Sequence, residues 1–111
     1  MKEEVKDKSR LKHIIQALNE IQFYTEGVEK QEFLDNSMMR FACIKQLEII
    51  GEASNHLSDN FKNKYPTIEW RQIIGMRNVF VHEYFSLDNH VLWDIVNFDI
   101  PNLKKELMKI I

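Results

Sequence analysis

Trp70-Arg71-Gln72-Ile73-Ile74-Gly75-Met76-Arg77-Asn78-Val79-Phe80-Val81-His82-Glu83-Tyr84-Phe85 is the stretch on which the fold turns. Two readings compete for it. The run from Val79 to Phe85 is rich in β-branched and aromatic residues and has high strand propensity. Over the longer window, Trp70, Ile73, Ile74, Arg77, Val81 and Tyr84 recur at helical spacing. The longer window is the stronger signal, and no segment elsewhere reads as a partner strand, so the stretch is expected to be a helix. Pro66 breaks the chain before it. Thr67 is the expected N-cap, with Glu69 placed to favour the helix dipole.

Helical periodicity continues outward in both directions. Upstream, Ser58 is suited to cap a short helix over 59–64. A long helix is expected over 36–57, with Asp35 as its N-cap and a stripe of Met38/Met39, Ala42, Gln46, Ile49/Ile50, Ala53 and Leu57. Phe41, Ile44 and Leu47 widen the apolar surface, which predicts packing on two sides. Gly51 inside this helix costs about 1 kcal/mol relative to Ala and makes sense where another helix approaches closely. Residues 27–34 read as a loop. Before it, Leu11, Ile14, Ile15, Leu18, Ile21 and Thr25 predict a helix over 8–26 that Gly27 ends. Downstream, Asp88 is a further N-cap, and Val91, Leu92, Ile95, Phe98, Leu103, Leu107 and Ile110 follow. Pro101 either kinks this last helix or opens a new one. With only three glycines and two prolines in 111 residues, the chain favours long helices. The expected architecture is one all-α domain over 1–111, a bundle of four to five helices.

Composition narrows the function. Hydrophobic residues at 44% and charged residues at 29% describe an ordinary globular domain. A domain this small buries only roughly 60–70% of its unfolded surface, so a second copy covering apolar area would help it. The net charge is −2, so any affinity for nucleic acid must come from a local positive field. The single cysteine, Cys43, allows no intrachain disulfide and no cysteine-rich metal site. The start, Met1-Lys2-Glu3-Glu4, is charged rather than apolar, and no run approaches the ~20 apolar residues of a membrane helix. A cytoplasmic, non-membrane protein is the expectation.

The chemistry is carried by Arg77-Asn78-Val79-Phe80-Val81-His82-Glu83-Tyr84. At about 100° per residue, Asn78 and His82 are i,i+4 neighbours, and Arg77 and His82 lie on the two edges of one arc. The long Arg side chain reaches toward the imidazole on its own helix, or a two-fold axis sets one copy of the stripe against another. The spacing leaves both open. A His near neutral pKa gives or takes a proton at neutral pH, and an Arg stabilises negative charge growing on a phosphate. Together they suit RNA cleavage, in which the 2′-OH is the nucleophile and no metal is required.

Gly51-Glu52-Ala53-Ser54-Asn55, Lys64-Tyr65-Pro66, Trp70 to Asn78, His82-Glu83-Tyr84-Phe85, Asp88, Trp93-Asp94 and Asp99-Ile100-Pro101-Asn102-Leu103 resemble the HepT-like HEPN ribonuclease toxins. The Arg-x4-His element, here Arg77 to His82, matches the catalytic motif of that family, and His82-Glu83-Tyr84 matches its His-x-Tyr ending. The resemblance implies a helical bundle that dimerises and cuts RNA in a cleft between protomers, without a metal or other cofactor. It also implies pairing with a minimal nucleotidyltransferase antitoxin, which uses ATP and magnesium to attach AMP to the motif tyrosine, here Tyr84. Adenylate at Tyr84 would bring negative charge and bulk to an RNA-binding face and so repel substrate.

Other residues carry weaker signals. Glu48 and Glu52 are i,i+4 on the second long helix. They read either as a solvated face or as a carboxylate that holds Arg71 or Arg77 in place. Arg40, Lys45, Arg71 and Arg77 are candidates for the local positive cleft. His13, His56 and His90 have no metal-ligand spacing and read as surface or capping residues. Cys43, Trp70, Trp93 and the methionines read as packing residues. The alternative to a nuclease is a non-catalytic accessory module that binds a nucleotidyltransferase, since a fold alone does not fix an activity.

Overall fold

A computed structural model describes residues 2–82 and 88–110; over 77–82 it describes the helical backbone. The first apolar stripe becomes α1, Lys2–Thr25, which buries Asp7, Leu11, Ile14, Ala17, Leu18 and Ile21. This helix starts six residues before the expected Lys8. Glu3 and Glu4 sit in its first turn, where they complement the helix dipole. Asp7 gives the early turns a tertiary anchor. Its Oδ1 accepts the backbone N–H of Ser58 at 2.8 Å, and its Oδ2 accepts the Ser58 hydroxyl at 2.6 Å. Gly27 ends the helix with φ +70, a left-handed conformation that glycine adopts without steric cost.

Residues 27–34, expected as a loop, contain part of a short helix, α2, Lys30–Asp35. The backbone N–H of Glu29 donates to Glu32 Oε1 at 3.2 Å, one arm of a capping box built without Ser or Thr. The burial of Phe33 holds α2 in place. Its ring meets Trp93 at a centroid distance of 5.3 Å, tilted by 56°. Arg40 closes the other end, with Nη1 donating to the carbonyls of Phe33 and Leu34. The next helix is capped by Asn36, one residue after the expected Asp35; Asn36 Oδ1 accepts Met39 N–H at 2.9 Å.

That helix, α3, Ser37–Asn55, is the centre of the fold and packs on α1 on one side and on α5, Trp70–His82, on the other. The two-sided packing expected from its wide apolar surface is present. Cys43, Ile44, Leu47 and Ile50 are buried, and Gly51 and Ser54 lie buried with them, small enough to let a neighbouring helix come close. Gln46 Nε2 donates to the Tyr24 hydroxyl at 3.2 Å and ties α3 to α1. Met38 departs from the expected packing role, with its side chain 80% exposed.

Ser58 caps α4, Asp59–Lys64, as expected, its hydroxyl accepting Phe61 N–H at 3.1 Å. The deciding stretch is helical as far as it is described: α5 covers Trp70–His82, and residues 83–85 lie outside the described residues. The helix starts later than a Thr67 cap would set it. Residues 65–68 form a turn closed by Ile68 N–H to the carbonyl of Tyr65 at 3.3 Å, and the carbonyl of Glu69 takes the N–H of Ile73 at 3.1 Å. Trp70 fixes this entry, its ring buried and its Nε1–H donating to the carbonyl of Tyr65 at 3.1 Å.

Asp88 caps α6, Asn89–Asp94, by accepting His90 N–H at 2.8 Å. The chain continues through a π-helical turn, Ile95–Asp99, into α7, Ile100–Met108, with Pro101 in its first turn. The wider turn follows from Pro101, which has no N–H to offer the carbonyl four residues earlier. Ile100 N–H instead reaches back to the carbonyl of Ile95, and the Asn97 side chain donates to the carbonyl of Trp93 at 2.9 Å. Lys104 Nζ to Gln22 Oε1, 2.8 Å, joins α7 to α1. Buried apolar residues from Leu11 to Leu107 form one core. Among the described residues there is no strand, and no helix is long and apolar enough to cross a membrane.

Candidate active site

Three of the four motif residues share one element. Arg77, Asn78 and His82 all lie on the backbone of α5. Arg77 and His82 are five residues apart, a rise of ~7.5 Å along the axis, and Asn78 and His82 occupy i,i+4 register positions. The helix that carries them is held by α3 along its flank, and at its start by the buried side chains of Trp70 and Ile73. A rigid helix, rather than a loop, therefore sets the spacing of the Arg and the His. Tyr84, the expected modification site, lies outside the described residues.

The expected supporting residues Glu48 and Glu52 lie on α3, and Arg71 lies on α5. Glu48 is half-buried, and its Oε2 lies 3.8 Å from Lys45 Nζ. Glu52 is exposed, and its Oε1 lies 2.9 Å from His56 Nε2. Arg71, exposed in the first turn of α5, lines a separate surface groove with Lys62, Trp70 and Ile74. Arg40 is committed to the end of α2. Of the positive cleft drawn from Arg40, Lys45, Arg71 and Arg77, the first three do not share one surface, and the Arg77 side chain lies outside what the structure describes. Arg40 caps a helix, and Lys45 and Arg71 face different grooves. Sequence cannot separate an Arg that caps carbonyls from one that waits for a phosphate, because both lie on the polar side of a helix.

The remaining candidates behave as packing and surface groups. Burial pushes the Cys43 thiol up to about 12, so it stays protonated and unreactive at neutral pH. His56 is the C-cap residue of α3, and His13 and His90 are exposed. Among the described residues, no group of three or more His, Cys, Asp and Glu side chains is arranged to hold a metal ion. A groove of about 440 Å³ between the start of α5 and α7 has an apolar floor that includes Ile73, Ile100 and Leu103, and carboxylates at Glu69, Asp99 and Glu106. That sign of charge is wrong for a phosphate backbone.

Fold and site together define a class: an all-helical bundle that carries an Arg-x4-His pair on a helix packed against its central α3. The family follows from comparison. The HepT-like ribonuclease family model matches residues 14–110, and the chain belongs to that family. A Methanocaldococcus jannaschii protein provisionally named an RNase is 40% identical over 100 residues, which cover 90% of this chain and 92% of the relative. A Thermococcus cleftensis protein provisionally named ribonuclease HepT is 40% identical over 103 residues, covering 93% and 94% of the two chains. A Caldanaerobacter subterraneus protein, also provisionally named an RNase, is 32% identical over 101 residues, covering 91% and 90%. No solved structure matches.

Proposed function

We propose that the chain is a metal-independent endoribonuclease whose reaction centre is built on Arg77 and His82. The observation that carries this reading is the family match across 14–110, which spans an Arg-x4-His pair held on one packed helix, α5. His82 takes the proton of the RNA 2′-OH or delivers one to the leaving group. The 2′-oxygen attacks phosphorus, the P–O5′ bond breaks, and the 5′-oxygen leaves protonated. Arg77 stabilises the negative charge that grows on the non-bridging oxygens. Asn78, one turn from His82, orients the imidazole or the scissile phosphate. The first product is a 2′,3′-cyclic phosphate, which water can then open.

The same reading makes the protein the toxin half of a pair. Its partner is a minimal nucleotidyltransferase that uses ATP and magnesium to add AMP to Tyr84, switching cleavage off by charge and bulk. It also makes the chain a cytoplasmic homodimer. Large apolar side chains facing solvent, Phe23 (75% exposed), Met38 (80%) and Phe98 (62%) among them, support a second copy as cover for part of this surface. RNA cleavage by unmodified protein in EDTA, lost in both His82→Ala and Arg77→Ala, is the expected result. Cleavage at the wild-type rate in either variant refutes the assignment. RNA left intact by unmodified wild type favours the accessory-module alternative.

A further inference from the structure

A groove of about 280 Å³ runs between α1 and α3. Arg10 and His13 line it from α1, and Lys45, Glu48, Glu52 and His56 line it from α3. Its carboxylates are engaged by basic neighbours on their own helix, Glu48 by Lys45 and Glu52 by His56. Arg10 is not engaged in this way. Its Nε is buried and donates to no group among the described residues. A buried donor without an acceptor is costly, and a guanidinium presents its donors in a planar fork that matches the oxygens of a phosphate. The groove also supplies Lys45 and two imidazoles as further donors to an anion.

From this arrangement we infer that Arg10, with His13 and Lys45, forms a phosphate-binding subsite that holds a backbone phosphate of an RNA strand. The inference rests on the ribonuclease reading for the identity of the strand. The site itself lies between α1 and α3, while Arg77 and His82 are carried by α5. In this assignment Arg10 grips the strand, and the bond cleavage stays with Arg77 and His82. The subsite also answers how a chain of net charge −2 attracts a polyanion: by a half-buried Arg in a groove rather than by a basic surface. Arg10 is hard to single out in the sequence, because it sits within the charged run Lys6-Asp7-Lys8-Ser9-Arg10 and reads there as one more solvated side chain.

The test uses full-length wild type, Arg10→Gln and Arg10→Lys, each checked by thermal melting. Inorganic phosphate is titrated while the Arg Nε–H resonance of residue 10 is followed. Binding of a fully 2′-O-methylated RNA 20-mer, which cannot supply the attacking 2′-OH, is measured by anisotropy across a salt series, with AMP as a competitor. Phosphate should shift the Arg10 resonance. Arg10→Gln should weaken RNA binding by roughly threefold to tenfold and lower the log–log salt slope by about 0.7, the loss of one single-strand phosphate contact. Arg10→Lys should recover part of the affinity, because it keeps the charge and loses the fork. Lys45→Gln should act in the same direction with a smaller effect. An unmoved resonance, or RNA affinity and slope unchanged in Arg10→Gln, overturns the subsite. Weakened phosphate and AMP binding with unaltered RNA binding overturns the backbone assignment and leaves a site for free phosphate or a mononucleotide. If RNA binds through Arg10 and is never cut in its unmethylated form, the nuclease reading falls and the subsite stands.

Discussion

Replacing Asp7 with Ala removes the buried side-chain link between the start of α1 and the cap of α4, leaving only the exposed Asn60 Nδ2 to Glu3 Oε1 hydrogen bond, 3.1 Å, among the described side-chain hydrogen bonds that join the two helix starts. The carboxylate is 7% exposed and accepts two hydrogen bonds from Ser58, one from the backbone N–H at 2.8 Å and one from the hydroxyl at 2.6 Å. The hydroxyl in turn accepts Phe61 N–H at 3.1 Å, so Asp7 also orients the α4 cap. Hydrogen bonds to a charged acceptor contribute about 1.5–3 kcal/mol each. Ser58 is partly exposed, and water can replace some of what is lost, so Asp7→Ala should cost about 2–4 kcal/mol in total. For a domain of this length that is a fall in melting temperature on the order of 10–20 °C. Asp7→Asn keeps an acceptor for the Ser58 N–H and can donate to the hydroxyl, so it should cost only about 1 kcal/mol. Calorimetry or circular-dichroism melts of the two variants and wild type provide the measurement. Equal, small losses in both, below about 0.5 kcal/mol, would refute the reasoning, because a buried charged cap cannot be lost so cheaply.

Four other outcomes follow from the same contacts. Phe33→Ala should cost roughly 3–5 kcal/mol, because the ring is fully buried against Trp93; a chemical denaturation series checks it. Arg40→Ala should cost about 1 kcal/mol by leaving the Phe33 and Leu34 carbonyls uncapped, with no change in the salt dependence of RNA binding, since Arg40 is occupied. Gly27→Ala should cost about 1 kcal/mol from its φ of +70 alone, because an added Cβ there meets nothing within 4 Å. Cys43 should resist a thiol reagent at pH 8 in folded protein and react on unfolding. Its folded-state pKa of about 12 lies above the ordinary 9.0, so folded protein holds the proton more tightly, and the resulting stabilisation is complete below pH 9 and lost as pH rises toward 12.

The long helices were legible because their apolar positions repeat without interruption. α1 and α3 show it plainly, and α5 shows it over a window long enough to outweigh the strand propensity of 79–82. What sequence missed depends on tertiary contacts. α2 is one and a half turns around a single buried Phe33, too short for a period to register, and its capping box uses Glu where Ser or Thr is the usual signal. The early start of α1 depends on Asp7 meeting Ser58, 51 positions away. The π-helical turn arises from where Pro101 falls within a continuous rod, which allowed either a kink or a new start until the register of Ile100 was known. At the site, the spacing of Arg77 and His82 was readable because both lie on one helix, whereas the pairing of Glu48 with Lys45 and the engagement of Arg40 depend on how side chains settle between neighbouring groups.

The most direct test of the central claim is cleavage of a defined single-stranded RNA by protein whose Tyr84 has been verified as unmodified by mass spectrometry, in the presence of EDTA, beside His82→Ala and Arg77→Ala. The account predicts cuts ending in 2′,3′-cyclic phosphate for wild type and a loss of at least roughly 100-fold in each variant, in keeping with removal of a general acid–base or of a charge-stabilising donor. Wild type that cuts no RNA, or variants that cut as fast as wild type, would contradict it.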